Sequence, residues 1–187
     1  MLIEIKHRYD NSVLFSHDAE LNSVKITLLL ALKLSANIQW ANLRRADLRG
    51  ADLRGAKIRN ADLDFSDMRG AYLQGADLGF SDTRGADFRG TDLRGATLGN
   101  KKLIGERPFF QIGPIGSRNE YMQVLISANG VQLTAGCFYG SIEQFERLLD
   151  AKHGSNNHGE EYRAALVLIR KHAELWAPEV DDEVKAA

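Results

Sequence analysis

The stretch that decides the fold is residues 36–100, which read ANIQW-ANLRR-ADLRG-ADLRG-AKIRN-ADLDF-SDMRG-AYLQG-ADLGF-SDTRG-ADFRG-TDLRG-ATLGN. Thirteen units of five residues follow one another here without an insertion. The first position of each unit is Ala, Ser or Thr, and the third is a large apolar residue in every unit except at Thr83. Self-similarity at a fixed short period indicates a repeat architecture.

A period of five residues fits neither an α-helix nor a simple alternating strand. In an extended segment, positions one and three point to the same side, so the small and the large apolar residue face inward together. The polar second position then points outward, and the frequent Gly at the fifth position suits a corner with unusual backbone angles. Each unit is therefore predicted to be a short strand and a turn. Lys101 breaks the small-residue rule and marks the end of the array.

This pattern resembles the pentapeptide-repeat family, whose motif is A(D/N)LXX, and the resemblance covers residues 36–100. It implies a mainly β fold, a right-handed quadrilateral β-helix with four pentapeptides in each coil. Thirteen units then give about three coils. Backbone pairing between coils and an inward column of Leu and Ala side chains are expected to hold this solenoid together.

A fourfold coil sorts the outward side chains into columns whose members are twenty residues apart. Two such columns carry arginines next to aspartates. The candidate binding residues are Arg49, Arg69 and Arg89 in the first column, and Arg54 and Arg94 in the second. Two interpretations remain: a solvated ladder in which Asp and Arg neutralise each other, or a face that binds phosphate or carboxylate groups through the planar guanidinium. Trp40 and Phe80 share a further column and are also candidate binding residues. Their rings either form an exposed patch or pack against a flanking segment.

The N-terminal residues are predicted to form a β-hairpin and then a helix. Apolar residues alternate from Ile3, residues 10–12 are turn formers, and Asn22 or Ser23 can cap a helix that runs to about Leu34. Since the first repeat exposes an apolar end, this helix is expected to cover it.

The C-terminal part is predicted to be a small α+β unit of ββαα order. Its strands are 120–127 and 131–138, joined by a turn at Asn129-Gly130. Residues 141–144 read as a capping box that opens one helix, and an apolar stripe ending at Trp176 marks the second. A loop is expected at 153–159. The predicted organisation is 1–35 hairpin and capping helix, 36–105 solenoid, 106–177 ββαα unit and 178–187 flexible acidic tail.

The order of these parts also resembles small phage and prophage pentapeptide proteins. The stretches that carry this second resemblance are residues 113–118, 136–145 and 161–166. It implies a phage-encoded protein and brings no particular activity with it.

Composition excludes several classes of function. The 24 basic and 25 acidic residues nearly cancel, so the whole chain is neither a polyanion that imitates DNA nor a basic nucleic-acid binder. One cysteine excludes an internal disulfide framework and fits a reducing compartment. No apolar leader or membrane-length stretch is evident, so a soluble cytoplasmic protein is expected.

Candidate chemistry is confined to the C-terminal part. Cys137 with His153 could form a nucleophilic pair, and Cys137, His153 and His158 could offer metal ligands. However, Cys137 lies in a strand pattern, where a small buried residue is the simpler interpretation, and the spacing matches no standard zinc site. Neither a catalytic residue, a metal nor a cofactor is therefore assigned. The loop 113–118, ending in Arg118, suits an anion or is a plain connecting turn.

The leading hypothesis is a non-enzymatic binding protein. It would use the solenoid faces and their junction with the C-terminal unit to bind a host protein or a small anionic, nucleotide-like ligand. Resemblance to the quinolone-resistance pentapeptide proteins implies an alternative, a DNA mimic that interacts with DNA gyrase, but mixed charge on the faces argues against it. A further alternative is a small enzyme that uses Cys137 and His153. Direct binding to nucleic acid is not expected, and the stripe ending at Trp176 would allow a homo-oligomer.

Overall fold

The computed structural model describes residues 1–178, so the predicted acidic tail lies outside the described residues except for Pro178. The chain divides into two compact units, Met1–Lys102 and Leu103–Ala187. None of the helices in residues 1–178 combines the length and the apolarity needed to cross a bilayer.

The first unit opens with the expected hairpin and helix. Strands β1 (Leu2–Lys6) and β2 (Val13–Asp18) pair antiparallel. Helix α1 (Val24–Lys33) begins at Ser23, whose hydroxyl accepts a hydrogen bond from the N–H of Ile26. The Lys25 ammonium donates to the carbonyl of Arg49 at 3.0 Å, so α1 contacts the first turn of repeats.

The repeats form a β-helix-like solenoid in which successive turns lie twenty residues apart. Parallel bridges join Asn42 to Asp62, Asp47 to Asp67, Asp52 to Tyr72, Lys57 to Asp77, Asp62 to Asp82, Asp67 to Asp87 and Tyr72 to Asp92. Strand β3 (Asp77–Gly79) pairs in parallel with β4 (Thr97–Gly99), which pairs antiparallel with β5 (Lys101–Lys102). Within residues 1–102 the repeats are thus joined by single bridges and short strands, with no closed sheet.

The burial pattern follows the repeat. Leu48, Leu63 and Leu78 at third positions, and Ala41 and Ala61 at first positions, are fully buried. The inward column of large and small apolar residues predicted from the sequence therefore forms the core of the solenoid.

Every fifth position from residue 40 to residue 95 has a positive φ. Glycine occupies most of these corners and adopts this conformation without steric cost. Trp40, Arg45, Asn60, Phe65 and Phe80 occupy the others, with φ between 55° and 64°. The solenoid therefore imposes a positive φ at the fifth position, whether or not the residue there is glycine.

The second unit is a four-stranded antiparallel sheet followed by two helices. Its strands, in sheet order, are β6 (Phe109–Ile115), β7 (Glu120–Ser127), β8 (Gly130–Ala135) and β9 (Phe138–Ser141). Helices α2 (Ile142–His153) and α3 (Asn157–Trp176) follow. The core contains Met122, Val124 and Leu133 of the sheet, Phe145 and Leu149 of α2, and Leu166 and Ile169 of α3.

The ββαα order is corrected to ββββαα. The strand expected at 131–138 ends at Ala135, because Gly136 turns with φ 60° and the chain returns as β9. The sequence did not predict strand β6, because Gly113 and Pro114 interrupt the run of strand-forming residues that begins at Phe109. The loop expected at 153–159 is shorter, since Asn156 caps α3 by accepting from the N–H of Gly159. The capping box at Ser141 is confirmed.

Replacing Gly85 by Ala is expected to destabilise the solenoid more than replacing Gly70. Both have φ +66°, where Ala costs about 1 kcal/mol or more. A Cβ at Gly70 would meet nothing within 4 Å, whereas a Cβ at Gly85 would lie 2.6 Å from the ring of Phe65. Urea denaturation of the two variants measures the difference.

Removing the Phe65 ring supplies the control. In a Phe65→Ala background, the cost of Gly85→Ala should fall to that of Gly70→Ala. An excess cost that persists without the ring would show that the ring contact is not its cause.

Candidate functional site

Aspartates at second positions make two kinds of contact on the solenoid faces. Asp67 accepts the backbone N–H of Arg69 at 3.2 Å, and its two oxygens also accept Nε and Nη2 of the same residue at 2.8 and 2.6 Å. The arrangement recurs in the pairs Asp47–Arg49, Asp52–Arg54, Asp82–Arg84, Asp87–Arg89 and Asp92–Arg94. Each guanidinium therefore lies in a bidentate pair with an aspartate of its own unit.

The predicted column of Arg49, Arg69 and Arg89 is linked between turns as well. Arg49 Nε lies 3.6 Å from Asp67 Oδ2, and Arg69 Nε lies 3.6 Å from Asp87 Oδ2. The structure thus places these arginines in a ladder of alternating charge. In the second column, Arg54 and Arg94 have equivalent partners at 2.6 Å.

These pairs fix the charge state of the carboxyl groups. The hydrogen bond from the Arg69 guanidinium is the main cause that holds the pKa of Asp67 below its ordinary value of 3.8. The Arg89 guanidinium lowers the pKa of Asp87 in the same way. At neutral pH the ladder therefore consists of ionised pairs in which each aspartate is neutralised by the arginine of its own unit.

The Trp40–Phe80 column separates into two environments. The ring centroid of Trp40 lies 5.7 Å from that of Tyr9 and 6.2 Å from that of His7, so Trp40 packs on the N-terminal hairpin. Phe80 is 60% exposed, and the Arg59 guanidinium lies 5.4 Å from its ring centroid. Of the two proposed binding aromatics, Phe80 is thus the one that presents most of its ring to solvent.

Sequence reasoning missed Phe65. It is 58% exposed, and the Arg44 guanidinium lies 5.9 Å from its ring centroid. The signal was available, because Phe65 occupies the same fifth position in its unit as Trp40 and Phe80.

Phe65 and Phe80 border one face of the solenoid. Because turns are twenty residues apart, residues 41–44, 61–64 and 81–84 stack on one another; we call these residues, with corner residues Phe65 and Phe80, the aromatic face. Asp64, which directly precedes Phe65, is 5% exposed and lies 2.7 Å from Arg44 Nη2. The aromatic face thus combines two exposed rings with a partly buried ion pair.

In the second unit, Cys137 is exposed, which corrects its interpretation as a buried strand residue. It lies in the turn between β8 and β9 that Gly136 initiates. Arg118, in the turn between β6 and β7, donates from Nη2 to Cys137 Sγ at 3.4 Å. Among residues 1–178, neither His153 nor His158 forms a hydrogen bond with this sulfur, and no group of three or more His, Cys, Asp or Glu side chains could hold a metal ion.

Comparison with known families supports the assignment of the solenoid. Residues 36–75 and 71–105 match the family model of pentapeptide repeats, in eight copies. The chain carries pentapeptide repeats. The match ends at residue 105, so it describes the solenoid and not the sheet and helices that follow. A comparison with curated proteins found no match.

Asp67→Ala is expected to destabilise the solenoid more than Asp67→Asn. Asn loses a surface ion pair, worth up to about 1 kcal/mol, but keeps the acceptor for the N–H of Arg69, as Asn42 does for Arg44 at 3.2 Å. Ala loses the acceptor as well, at a further cost of about 1 kcal/mol. Equal costs in urea denaturation would contradict a structural role for the side-chain acceptor.

The ladder should contribute to stability above pH 4 and lose that contribution in acid. The pKa of each of these carboxyl groups is below 3.8 in the folded protein, so the group binds fewer protons in the folded state than in the unfolded state. The free energy of unfolding therefore decreases as the pH falls below about 4. Thermal melts at pH 7, 5 and 3 measure this. The Asp67→Asn, Asp87→Asn variant should show a smaller drop between pH 5 and 3, and an identical drop would contradict the assignment.

Proposed function

We propose that this protein is a non-enzymatic binding protein that recognises a partner protein through the aromatic face. The observation that carries the proposal is the pair of exposed rings at Phe65 and Phe80. Each occupies a left-handed corner where glycine is the least strained residue, at a cost of about 1 kcal/mol. With 58% and 60% of their surface in solvent, both residues leave more than half of their surface available to a partner.

The composition of the aromatic face suits a protein partner. Aromatic residues and arginine dominate the residues that contribute most to protein–protein binding. Here Arg44 on the aromatic face and Arg59 on the neighbouring face each lie against a ring, at 5.9 and 5.4 Å, which orients the aromatic side chains before any partner arrives. A stacked solenoid also presents such residues on a regular, extended surface.

The same geometry argues against the other candidate functions. A DNA mimic that inhibits gyrase needs a continuous acidic surface, whereas six of the aspartates form bidentate pairs with arginine. An enzyme based on Cys137 needs a base beside the sulfur, and the group within hydrogen-bond distance is the Arg118 guanidinium.

The finer features of the molecule belong to the same proposal. The solenoid is right-handed, as the family resemblance implies, and its 65 repeat residues at twenty per turn make about three coils. The protein is phage-encoded and acts in the cytoplasm on a host protein. Self-association is one form that the protein partner could take.

Phe80→Gly and Phe65→Gly are expected to weaken partner binding at least tenfold without unfolding the solenoid. Each change relieves about 1 kcal/mol of backbone strain. It also removes an exposed cation–π contact worth about 0.5–1 kcal/mol and the buried part of the ring, so a small net loss of stability is expected. Partner binding is measured by capture from a host lysate on the immobilised full chain, followed by titration of the purified captured protein.

Arg45→Gly is the control for strain relief, since Arg45 occupies the left-handed corner one turn before Phe65, with φ 57°, and carries no ring. It should bind the partner as the wild type does. The proposal fails if the Phe variants retain wild-type affinity, or if Arg45→Gly weakens binding equally.

A further inference from the structure

The second unit has a cavity of about 610 Å³ that is open to solvent and is lined by residues of the sheet and of both helices. This volume is within the range of pockets that bury small organic ligands. The cavity has an apolar wall and a cationic rim, which the following paragraphs describe in turn.

The apolar wall consists largely of aromatic rings. The ring centroid of Phe145 lies 5.0 Å from that of Phe138 and 5.4 Å from that of Tyr162. Leu149 is 3% exposed and belongs to the core, whereas Leu148 is 55% exposed. Such a surface binds an apolar group by removing it from water.

The rim carries positive charge from Arg118 and Lys152, with the imidazole of His153 beside them, and no Asp or Glu lines the cavity. Among residues 1–178, neither Arg118 nor Lys152 forms an ion pair. Nearby carboxylates are engaged elsewhere: Asp150 pairs with Arg163 at 2.8 Å, and Glu161 accepts the N–H of Gly116 at 2.6 Å. An anionic group would therefore find two cations that are not already neutralised.

Two glycines give these side chains room. A Cβ on Gly136, which has φ +60°, would lie 2.9 Å from Arg118 Cδ, so Arg118 crosses the cavity rim directly over this backbone. A Cβ on Gly116 would collide with the ring of Tyr162. The absence of a Cβ at each glycine lets Arg118 and Tyr162 reach the cavity, and the hydrogen bond from Arg118 to Cys137 Sγ helps to hold the guanidinium there.

We propose that this cavity binds a small amphipathic anion, with one carboxylate or phosphate held by Arg118 and Lys152 and an aliphatic or aromatic body against Phe138 and Phe145. A nucleotide fits the wall less well, because its base and ribose need polar partners that the apolar wall does not supply. The site lies wholly within residues 103–178 and is independent of the aromatic face.

The test uses a fluorescent amphipathic anion, anilinonaphthalenesulfonate, titrated into the full chain. Saturable binding is expected, with displacement by decanoate or decyl phosphate and not by decanol, their neutral counterpart. Arg118→Gln and Lys152→Gln should each weaken probe binding about tenfold. Each change removes one charge-assisted contact, and a tenfold change in Kd corresponds to about 1.4 kcal/mol. The relative potency of the two competitors identifies the preferred headgroup.

Controls separate this site from general surface binding. Arg147 is an exposed cation that lies in α2, like Lys152, but does not line the cavity. Arg147→Gln should therefore leave probe binding unchanged. Phe80→Gly should also bind the probe normally, so the two proposals can fail separately. The inference is overturned if binding does not saturate, if Arg118→Gln binds as the wild type does, or if decanol displaces the probe as well as decanoate.

Discussion

The solenoid depends on a hydrogen bond from the backbone N–H at the fourth position to the side-chain oxygen two residues earlier, which ten of the thirteen units form. Buried backbone donors must be paired, and four of the five in a unit find carbonyl partners. The unit 66–70 shows this: Ser66 donates to Leu63, Asp67 to Ala46, Met68 to Asp87 and Gly70 to Arg89. The N–H of Arg69 is left, and the Asp67 side chain accepts it at 3.2 Å. The Asp or Asn of the motif thus completes the backbone pairing of the coil.

The same carboxylate then determines the electrostatics of the faces. Once it is held toward the fourth position, an arginine there can form a bidentate pair with it, and the ladder is electrically neutral as a consequence of the fold. Repeated charge is therefore weak evidence of function in this chain. Function is better sought where the pattern is broken, as at Phe65 and Phe80, whose rings replace glycine at strained corners.

The accuracy of sequence reasoning followed the strength of the local pattern. A five-residue period repeated thirteen times fixes which side chains face inward, so the core residues of the solenoid were predictable. The hairpin at Asn129-Gly130 and the capping box at Ser141 were predictable because short-range hydrogen bonds specify them. Strand β6 was not, since its backbone pairs with β7 although Gly113 and Pro114 disfavour a strand locally. Cys137 was misplaced because one glycine, Gly136, ended the preceding strand.

The local pairing that neutralises six solenoid arginines also singles out Arg118, which lacks it. Six arginines of the ladder have an aspartate two positions earlier, whereas the residue two positions before Arg118 is Gly116. An arginine without a local carboxylate keeps more of its charge for other groups, and here the guanidinium lies at the rim of an apolar cavity. Because Gly116 also admits the ring of Tyr162 to the cavity wall, one glycine both removes a neutralising partner and opens space for the apolar surface. The two halves of the proposed anion site therefore share a cause in the sequence.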